Sequence, residues 1–259
     1  MQPATNNQQH AAIRDLGGVR VDVVDVPELL RIVEERIAAP GCALVNNVNI
    51  RAWNLAWEQP AFRRVLDESA AVFCDGYGVK LGARLRGIRL GPRMTPPDWV
   101  DELFARGVAR GWSFFFVGDE TPVVEEFARR VAARHPGLVV AGTHHGFFDA
   151  ADGAGRALTE QLRAARPDII LTGMGMPRQE YWADGMRASL DHGIFIAAGA
   201  LFRWHTGRER RAPRWMCRIG LEWLHRLLTH PIRNFRRYVI GIPFFYGRLL
   251  LRRAPRGDG

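Results

Sequence analysis

The chain has 259 residues, of which 47% are hydrophobic and 24% are charged, a balance typical of a globular protein with a substantial core. This composition excludes collagen-like, intrinsically disordered and disulfide-rich proteins. The formal net charge is +9, but the segment from Arg203 to the C-terminus holds 14 arginines against only three acidic residues. The basic character is therefore a local property of the C-terminal segment.

The N-terminal stretch MQPATNNQQH is polar and lacks a basic segment followed by an apolar core, so it does not have the pattern of a signal peptide. We predict a disordered lead-in over residues 1–15. The three cysteines, Cys42, Cys74 and Cys217, are far apart and form no Cys-x-x-Cys pair, which favours neither a zinc site nor a disulfide framework. A reducing, cytoplasmic compartment suits this pattern.

Apolar runs alternate with longer segments of helical periodicity along residues 16–204. The runs, at 42–48, 70–76, 113–119, 137–142, 168–175 and 193–200, are typical of buried strands. Between two of them, residues 122–134 carry apolar side chains at helical spacing, and Thr121–Pro122 predicts the cap and first turn of that helix. The alternation predicts an α/β fold with a mostly parallel sheet and helices on both faces.

A second region, residues 205–259, is predicted to form a basic amphipathic appendage. Residues 216–230 place apolar side chains on one helical face, and Pro231 ends that predicted helix. The uncharged run from Tyr238 to Gly247 is too short to span a bilayer. Its mixture of aromatic residues, aliphatic residues and arginines suits a segment that lies in the membrane interface or docks on another subunit. Assembly into a homo-oligomer is therefore one of the alternatives.

Polar side chains follow several of the predicted strands, where ligands bind in an open α/β sheet. Asp75 ends the run at 70–76 and could be a general base or the cap of the next helix. In VNNVNIRAW at 45–53, Asn47 and Asn49 are expected just after a strand and could bind sugar hydroxyls or a base edge, although asparagine is also common in turns. Arg93, which precedes Pro96–Pro97, could contact an anion or remain solvated.

The segment LTGMGMPRQEYW at 171–182 opens from a strand into glycines, a proline and polar residues. Gly173 and Gly175 permit close approach of the backbone to a ligand, Pro177 can begin a helix, and that helix start favours phosphate. The candidate substrate-binding residues here are Gly173, Gly175, Pro177, Arg178, Gln179 and Glu180.

Three patterns bear on cofactors. Arg178 occupies the position of the third glycine in a dinucleotide fingerprint, so a nicotinamide oxidoreductase is a distant alternative. His144 and His145 are adjacent and lack the spacing of helical metal ligands, which favours a structural or substrate-contact role, and we select His145 as a substrate contact. No Asp-x-Asp occurs in the chain. We predict no metal and no cofactor, with protein cations replacing a metal.

Six ordered motifs resemble the WecG/TagA/CpsF family, glycosyltransferase family 26, over about residues 20–240. They are FCDGYGV at 73–79, FFFVGDETPVV at 114–124, VVAGTHHGFFD at 139–149, GMGMPRQEYW at 173–182, AAGALFRWHTGRERRAPRW at 197–215 and GLEWLHRLLTHPIRNFRRY at 220–238. Each motif is ordinary alone, whereas the ordered set is highly specific. One departure is Asn47, where the family often has threonine in Thr-x-Asn.

The resemblance implies a Rossmann-like core and a metal-independent, inverting transfer of N-acetylmannosamine or a related hexose. The donor would be a UDP-sugar and the acceptor a polyprenyl-diphosphate-linked sugar at the inner membrane face, with no nucleic-acid partner. By motif match it implies that Asp75 is the catalytic base, that Arg93 lies in the pocket, and that Gln179 and Glu180 contact the nucleotide-sugar. We also select Asn47 and Arg93 as catalytic residues and Gly118 as a substrate contact. The resemblance also implies that appendage arginines enter the pocket, for which we select Arg210 and Arg211.

One rival hypothesis stays open at this point. The basic appendage could belong to a non-catalytic module that binds a membrane or nucleic acid. Salt-sensitive DNA binding without turnover would favour that rival, whereas sugar transfer would exclude it.

Overall fold

The computed structural model of the chain describes residues 12–149 and 153–251. Within these ranges, six parallel strands form one sheet in the order β4-β3-β8-β7-β5-β6. The strands are β3 Gly41–Val48, β4 Ala71–Cys74, β5 Ser113–Gly118, β6 Val139–His144, β7 Ile169–Gly173 and β8 His192–Ala197. All six coincide with the apolar runs, so the predicted α/β fold with a parallel sheet is confirmed.

Helices cover both faces of this sheet because side chains alternate along each strand. On β5, Phe114 and Phe116 face one layer, whereas Phe115 and Val117 face the other. The first layer contains α1 Val26–Ala38, α5 Pro96–Arg110, α6 Thr121–Arg134 and α9 Leu201–Thr206. The second contains α2 Ile50–Glu58, α3 Pro60–Asp67, α4 Tyr77–Leu85, α7 Gly153–Ala165 and α8 Arg178–Arg187.

The helix predicted at 122–134 corresponds to α6, but its cap differs from the prediction. Glu120 is the N-cap residue, so Thr121 and Pro122 occupy the first two helical positions. Proline is favoured there because the first helical N–H groups have no partner within the helix.

A short hairpin precedes the sheet and was not predicted. Strands β1 Ala12–Asp15 and β2 Arg20–Val23 pair antiparallel around Gly17 and Gly18, which both have positive φ. Asp22 of β2 accepts a hydrogen bond from the backbone N–H of Val72 on edge strand β4. Residues 12–15 of the predicted disordered lead-in are thus a strand, and residues 1–11 lie outside the described residues.

The C-terminal segment is helical, as predicted, but its helices begin and end at other residues than those predicted. The structure gives α10 Arg214–Arg218, α11 Glu222–Thr229, α12 Pro231–Phe235, a π-helical turn Arg236–Ile240 and α13 Gly241–Leu251. The single helix predicted at 216–230 is wrong because Gly220 interrupts it with φ near +81°. A Cβ at Gly220 would lie 3.0 Å from the Cβ of Tyr77, so the break also permits close packing on α4.

The appendage is anchored in the core at its far end. Phe245 and Leu249 of α13 are fully buried in the cluster that contains Trp53 of α2 and Val79 of α4. The predicted boundary at residue 204 falls inside α9. None of the helices in the described part of the chain is long and apolar enough to cross a membrane.

Candidate active site

A cleft opens at the carboxyl ends of the parallel strands and is covered by the appendage. This large cleft has a volume of about 510 Å³. Its lining includes Asn47 and Asn49 from the end of β3, Asp75 after β4, Asp119 after β5 and Gly173 at the end of β7. Such a position is where ligands bind in open α/β sheets, because connections diverge at the strand ends and leave a crevice.

A smaller cavity of about 130 Å³ adjoins the large cleft, and Asp75 lines both. We call it the side cavity. Its walls come from the N-terminal end of α4, the loop before α5, and the appendage helices, through residues that include Tyr77, Arg93, Glu222 and Trp223. Asp75 therefore lies where the large cleft and the side cavity meet.

Asp75 is held by neutral donors only. The Thr95 hydroxyl donates to Asp75 Oδ1 at 2.8 Å, and Asn49 Nδ2 donates to Oδ2 at 3.4 Å. Asp75 forms no ion pair with any residue that the structure describes. Burial raises the pKa of Asp75 above its usual value, with the hydrogen bond from Thr95 opposing that shift. A carboxylate in this state is suited to accept a proton from a substrate hydroxyl.

The alternative that Asp75 caps the following helix is wrong. Helix α4 has Gly76 as its N-cap, and no side chain makes a capping hydrogen bond there. Asn49, in contrast, caps a helix, which is a local role that asparagine favours. Its Oδ1 accepts from the backbone N–H groups of Arg51 and Ala52 at the start of α2, which leaves its Nδ2 directed to Asp75.

Asn47 lies within β3, not after it, and lines the large cleft. Its Nδ2 donates to the backbone carbonyl of Ala197 at 3.1 Å on the neighbouring strand β8. The side chain is buried, and its Oδ1 has no hydrogen-bond partner among the described residues. A buried carbonyl oxygen without a donor is costly, so a ligand hydroxyl or amide would be a favourable partner.

Arg93 is not a solvated surface residue, because its side chain is only 15% exposed. Its Nη1 donates to Thr95 Oγ1 at 2.6 Å and its Nη2 to Asp98 at 2.8 Å. Because the Thr95 oxygen accepts from Arg93, its hydrogen is free to point to Asp75. Arg93 thus orients the donor that contacts the candidate base, and its guanidinium lines the side cavity.

The segment after β7 forms the floor of the large cleft as far as Gln179. Gly173, Gly175, Arg178 and Gln179 all line it. Gly175 has φ near +81°, which glycine adopts without strain, and its N–H donates to Gln179 Oε1 at 3.1 Å. Pro177 is the N-cap residue of α8, so the helix begins where the sequence predicted, but Pro177 itself does not line the cleft.

Glu180 lies beneath the cleft, not in its wall. The residue is 1% exposed, its Oε1 accepts from Gln179 Nε2 at 2.8 Å, and its Oε2 has no hydrogen-bond partner among the described residues. Burial raises the pKa of Glu180 to about 7. Glu180 therefore supports Gln179, and the expectation that it contacts sugar hydroxyls directly does not fit its position.

Two other predicted contacts lie outside the lining of both cavities. A Cβ at Gly118 would come within 2.5 Å of the Gly173 backbone, so this glycine serves the close approach of β5 and β7. His145 accepts a hydrogen bond from the backbone N–H of Phe147, and its ring lies next to that of His144, with 4.4 Å between the centroids and the planes tilted by 33°. Phe147 itself, which was not predicted, is 62% exposed and lines the large cleft.

The cations in the large cleft are not the predicted pair. Arg210 is exposed and lines neither cavity, and Arg211 pairs with Asp98 outside them. The arginines that do line the large cleft are Arg51, Arg178 and Arg203 from the core and Arg226, Arg233 and Arg237 from the appendage. Appendage arginines thus line the cleft, but they are not the predicted pair Arg210 and Arg211.

Arg237 is the clearest anion-binding candidate among these arginines. It is partly buried and forms no ion pair with any residue in the described ranges. Burial lowers the pKa of Arg237, and the charges of Arg226 and Arg51 lower it further. A bound anion would relieve both effects, because it supplies the missing opposite charge.

Unlike Arg237, Arg203 forms an ion pair, in which two of its guanidinium nitrogens contact the Asp119 carboxylate. The two nitrogen–oxygen distances are 2.6 and 2.9 Å, and Asp119 has φ near +54°. The same reasoning that selected Asp75 could have found Asp119, because both follow a predicted strand. Thr95 was missed because nothing in the sequence shows that its hydroxyl reaches Asp75 across twenty residues.

The appendage exposes many large apolar side chains beside the cleft. Those at least half exposed are Trp215, Ile219, Leu228, Ile232, Phe235, Phe244, Leu250 and Leu251, with Ile232 at 96%. On α4, Leu81 and Leu85 are also more than half exposed. Soluble proteins expose single apolar residues commonly, but a contiguous apolar patch is typical of an interaction surface.

Comparisons with known proteins show the family of this chain. The model of the Glycosyl transferase WecG/TagA/CpsF family matches residues 14–258. The chain is 29% identical over 195 residues to N-acetylglucosaminyldiphosphoundecaprenol N-acetyl-beta-D-mannosaminyltransferase of Bacillus spizizenii, covering 75% of this chain and 74% of that protein. Proteins of the same name from Bacillus subtilis strain 168 and Staphylococcus aureus strain NCTC 8325 are 28% and 25% identical.

Those two matches cover 74% and 68% of this chain, and 73% and 67% of the respective relatives. The family match is broader, since it extends from the β1–β2 hairpin through the appendage. The protein is a glycosyltransferase, and the chain belongs to the WecG/TagA/CpsF family.

Proposed function

We propose that this chain transfers N-acetylmannosamine or a related hexose from a UDP-sugar to a polyprenyl-diphosphate-linked saccharide in cell-surface or exopolysaccharide synthesis. The names of its relatives support both the sugar and the lipid-linked acceptor. The observation that carries the proposal is the placement of Asp75, which has no ion pair among the described residues, beside a cleft that six of the described arginines line. A base beside an anion site is what transfer from a nucleotide diphosphate requires.

In the proposed reaction, Asp75 accepts the proton of the acceptor hydroxyl as that oxygen attacks C1 of the donor sugar. The new C1–O bond forms on the face opposite the departing UDP, so the configuration inverts. The bond between C1 and the β-phosphate oxygen breaks, and its electron pair leaves with UDP. Asn49 and Thr95 hold the carboxylate in place for this step.

The large cleft suits the donor, and the side cavity suits the acceptor saccharide. Arg226 and Arg237 line both, so their guanidiniums lie between the two proposed substrates. Charge that develops on the departing diphosphate would be stabilised there by bidentate contacts. This arrangement supports a reaction in which arginines serve in place of a divalent cation.

The exposed apolar side chains of the appendage suit a membrane interface, where the lipid-linked acceptor is held. Arg214, Arg218 and Arg236 are exposed in the same helices and would attract acidic head groups. We therefore infer a peripheral location on the inner face of the cell membrane. No nucleic-acid partner is needed to explain the basic segment.

A panel of UDP-sugars tested with a polyprenyl-diphosphate-N-acetylglucosamine acceptor tests the proposal. We expect one donor to give a product heavier by one sugar residue by mass spectrometry, and equal rates in excess EDTA. Absence of transfer from every donor, together with salt-sensitive DNA binding, would favour a non-catalytic basic module. Recovery of activity only after magnesium or manganese is added back would contradict the metal-independent reaction.

A further inference from the structure

Glu222, the first residue of α11, is the one carboxylate besides Asp75 in the lining of the side cavity within the described ranges. Its side chain is 18% exposed. The other charged or titratable groups that line this cavity around Asp75 are Arg51 of α2, Tyr77 of α4, Arg93 before α5, Cys217 of α10, Arg226 of α11, and Arg237 and Tyr238 of the π-helical turn. Four guanidiniums thus share a small space with two carboxylates.

Two of these four cations, Arg93 and Arg226, contact Glu222. Glu222 Oε2 lies 3.5 Å from Arg93 Nη1, and its Oε1 lies 3.6 Å from Arg226 Nη2. Arg93 also pairs with Asp98 at 2.8 Å, and Arg211, outside the cavity, lies 3.8 Å from Glu222. For Arg226, no other carboxylate in the described part of the chain lies within ion-pair distance. Asp75 has no ion pair there, although one hydroxyl oxygen, that of Thr95, separates it from the Arg93 guanidinium.

We propose that Glu222 is a positioning residue that keeps Asp75 free to act as a base by binding the guanidiniums of Arg93 and Arg226 that would otherwise pair with it. This inference rests on the proposed role of Asp75. A carboxylate engaged by arginine is a weak base, since the arginine stabilises its ionised form. Glu222 therefore removes competing cations from the base and leaves those cations beside the cleft.

The charge of Glu222 acts in the same direction as its contacts. Its negative charge helps to raise the pKa of Asp75, whereas the charge of Arg226 lowers it. Replacing Glu222 with an uncharged residue removes the charge that raises the pKa of Asp75 and strengthens the effect of Arg226, which lowers that pKa. Both changes make Asp75 easier to ionise and weaker as a base, so the sign of the predicted shift does not depend on which one dominates.

The test is Glu222→Gln, with Glu58→Gln as the matched control. Glu58 also joins the core to the appendage by an ion pair, 2.8 Å from Arg248 on α13, but it lines neither cavity. The pKa of Asp75 is measured by 13C NMR of carboxyl-labelled protein, with Asp75→Asn to assign the signal. This readout needs no turnover, so it is independent of whether the protein transfers sugar.

We expect Glu222→Gln to lower the pKa of Asp75 by about one unit or more, and Glu58→Gln to leave it unchanged. The acid limb of the kcat profile for sugar transfer should move to lower pH by the same amount, with a plateau about tenfold lower. In the double variant Glu222→Gln/Arg226→Gln, the pKa of Asp75 should return upwards, because the released guanidinium is gone.

An unchanged or raised pKa of Asp75 in folded Glu222→Gln protein would overturn the inference. So would an equal fall in the Glu58→Gln control, which would indicate general loosening of the appendage. If the wild type transfers no sugar from any donor, the proposed function fails, while the NMR comparison still decides whether Glu222 shields Asp75 from the arginines.

Discussion

Phe245 of α13 packs edge-to-face against Trp53 of α2, with 4.9 Å between the ring centroids. Both side chains are fully buried. The end of the appendage is therefore part of the hydrophobic core, although its middle lies over the active-site cleft. Removal of the whole appendage would expose this cluster, so point variants are needed to separate its roles in folding, membrane binding and catalysis.

The first prediction concerns this packing. Phe245→Ala should lower the free energy of unfolding by about 3 to 5 kcal/mol, because it removes a fully buried ring and leaves a cavity. The neighbouring Phe244 is 54% exposed, and Phe244→Ala should cost less than about 1 kcal/mol. Urea unfolding followed by circular dichroism measures both. Equal losses for the two variants would mean that α13 is not packed as described.

The exposed apolar surface leads to the second prediction. Ile232→Ser together with Phe235→Ser should weaken co-sedimentation with vesicles that contain anionic lipid, because both side chains would otherwise be buried in the interface. Ile13 is also exposed, at 58%, but lies on the N-terminal hairpin, so Ile13→Ser is the control. If all three proteins sediment alike, the appendage is not the membrane-binding element.

The cleft arginines give a third prediction. Arg237→Gln should weaken UDP binding by about 10- to 100-fold, the loss expected for a charge-assisted contact in a partly buried site. Arg210→Gln should have little effect, since Arg210 is exposed and lines neither cavity. Isothermal titration calorimetry with UDP distinguishes them. Weaker UDP binding by Arg210→Gln, with little change for Arg237→Gln, would support the assignment of Arg210 made from the sequence.

The choice of arginines shows what could and could not be predicted from sequence. The six strands were predictable because each is a short apolar run between turn residues, and parallel strands are buried on both faces. Asp75, Asn49 and Gln179 could be assigned to the cleft for the same reason, since they follow strand ends. The path of the appendage depends on the break at Gly220 and on packing against Tyr77, which no local pattern indicates.

Glu180 provides a fourth prediction, on stability and pH. Its pKa in the folded state is about 7, above the ordinary value of 4.5, so the folded state binds a proton that the unfolded state has already lost between these values. Stability should therefore fall as pH rises from about 4.5 to about 7 and stay constant above. Glu180→Gln removes this penalty, which is on the order of 3 kcal/mol.

Denaturant unfolding of wild type and Glu180→Gln across pH 4.5 to 8 checks this. The variant should be the more stable protein at the alkaline end, and the difference should vanish near the acidic end. Parallel profiles would mean that the Glu180 carboxylate is hydrated or paired in solution, and that its burial beneath Gln179 is not as the structure has it.

The central claim is that Asp75 accepts the proton of the acceptor hydroxyl during sugar transfer, and Asp75→Asn tests it most directly. The amide keeps the size of the side chain, and its oxygen can still accept a hydrogen bond from Thr95 or Asn49, but it cannot act as a base. We predict that kcat for transfer to the lipid-linked acceptor falls by about two to four orders of magnitude, while the Kd for UDP stays nearly unchanged. Wild-type turnover by folded Asp75→Asn protein would contradict the account.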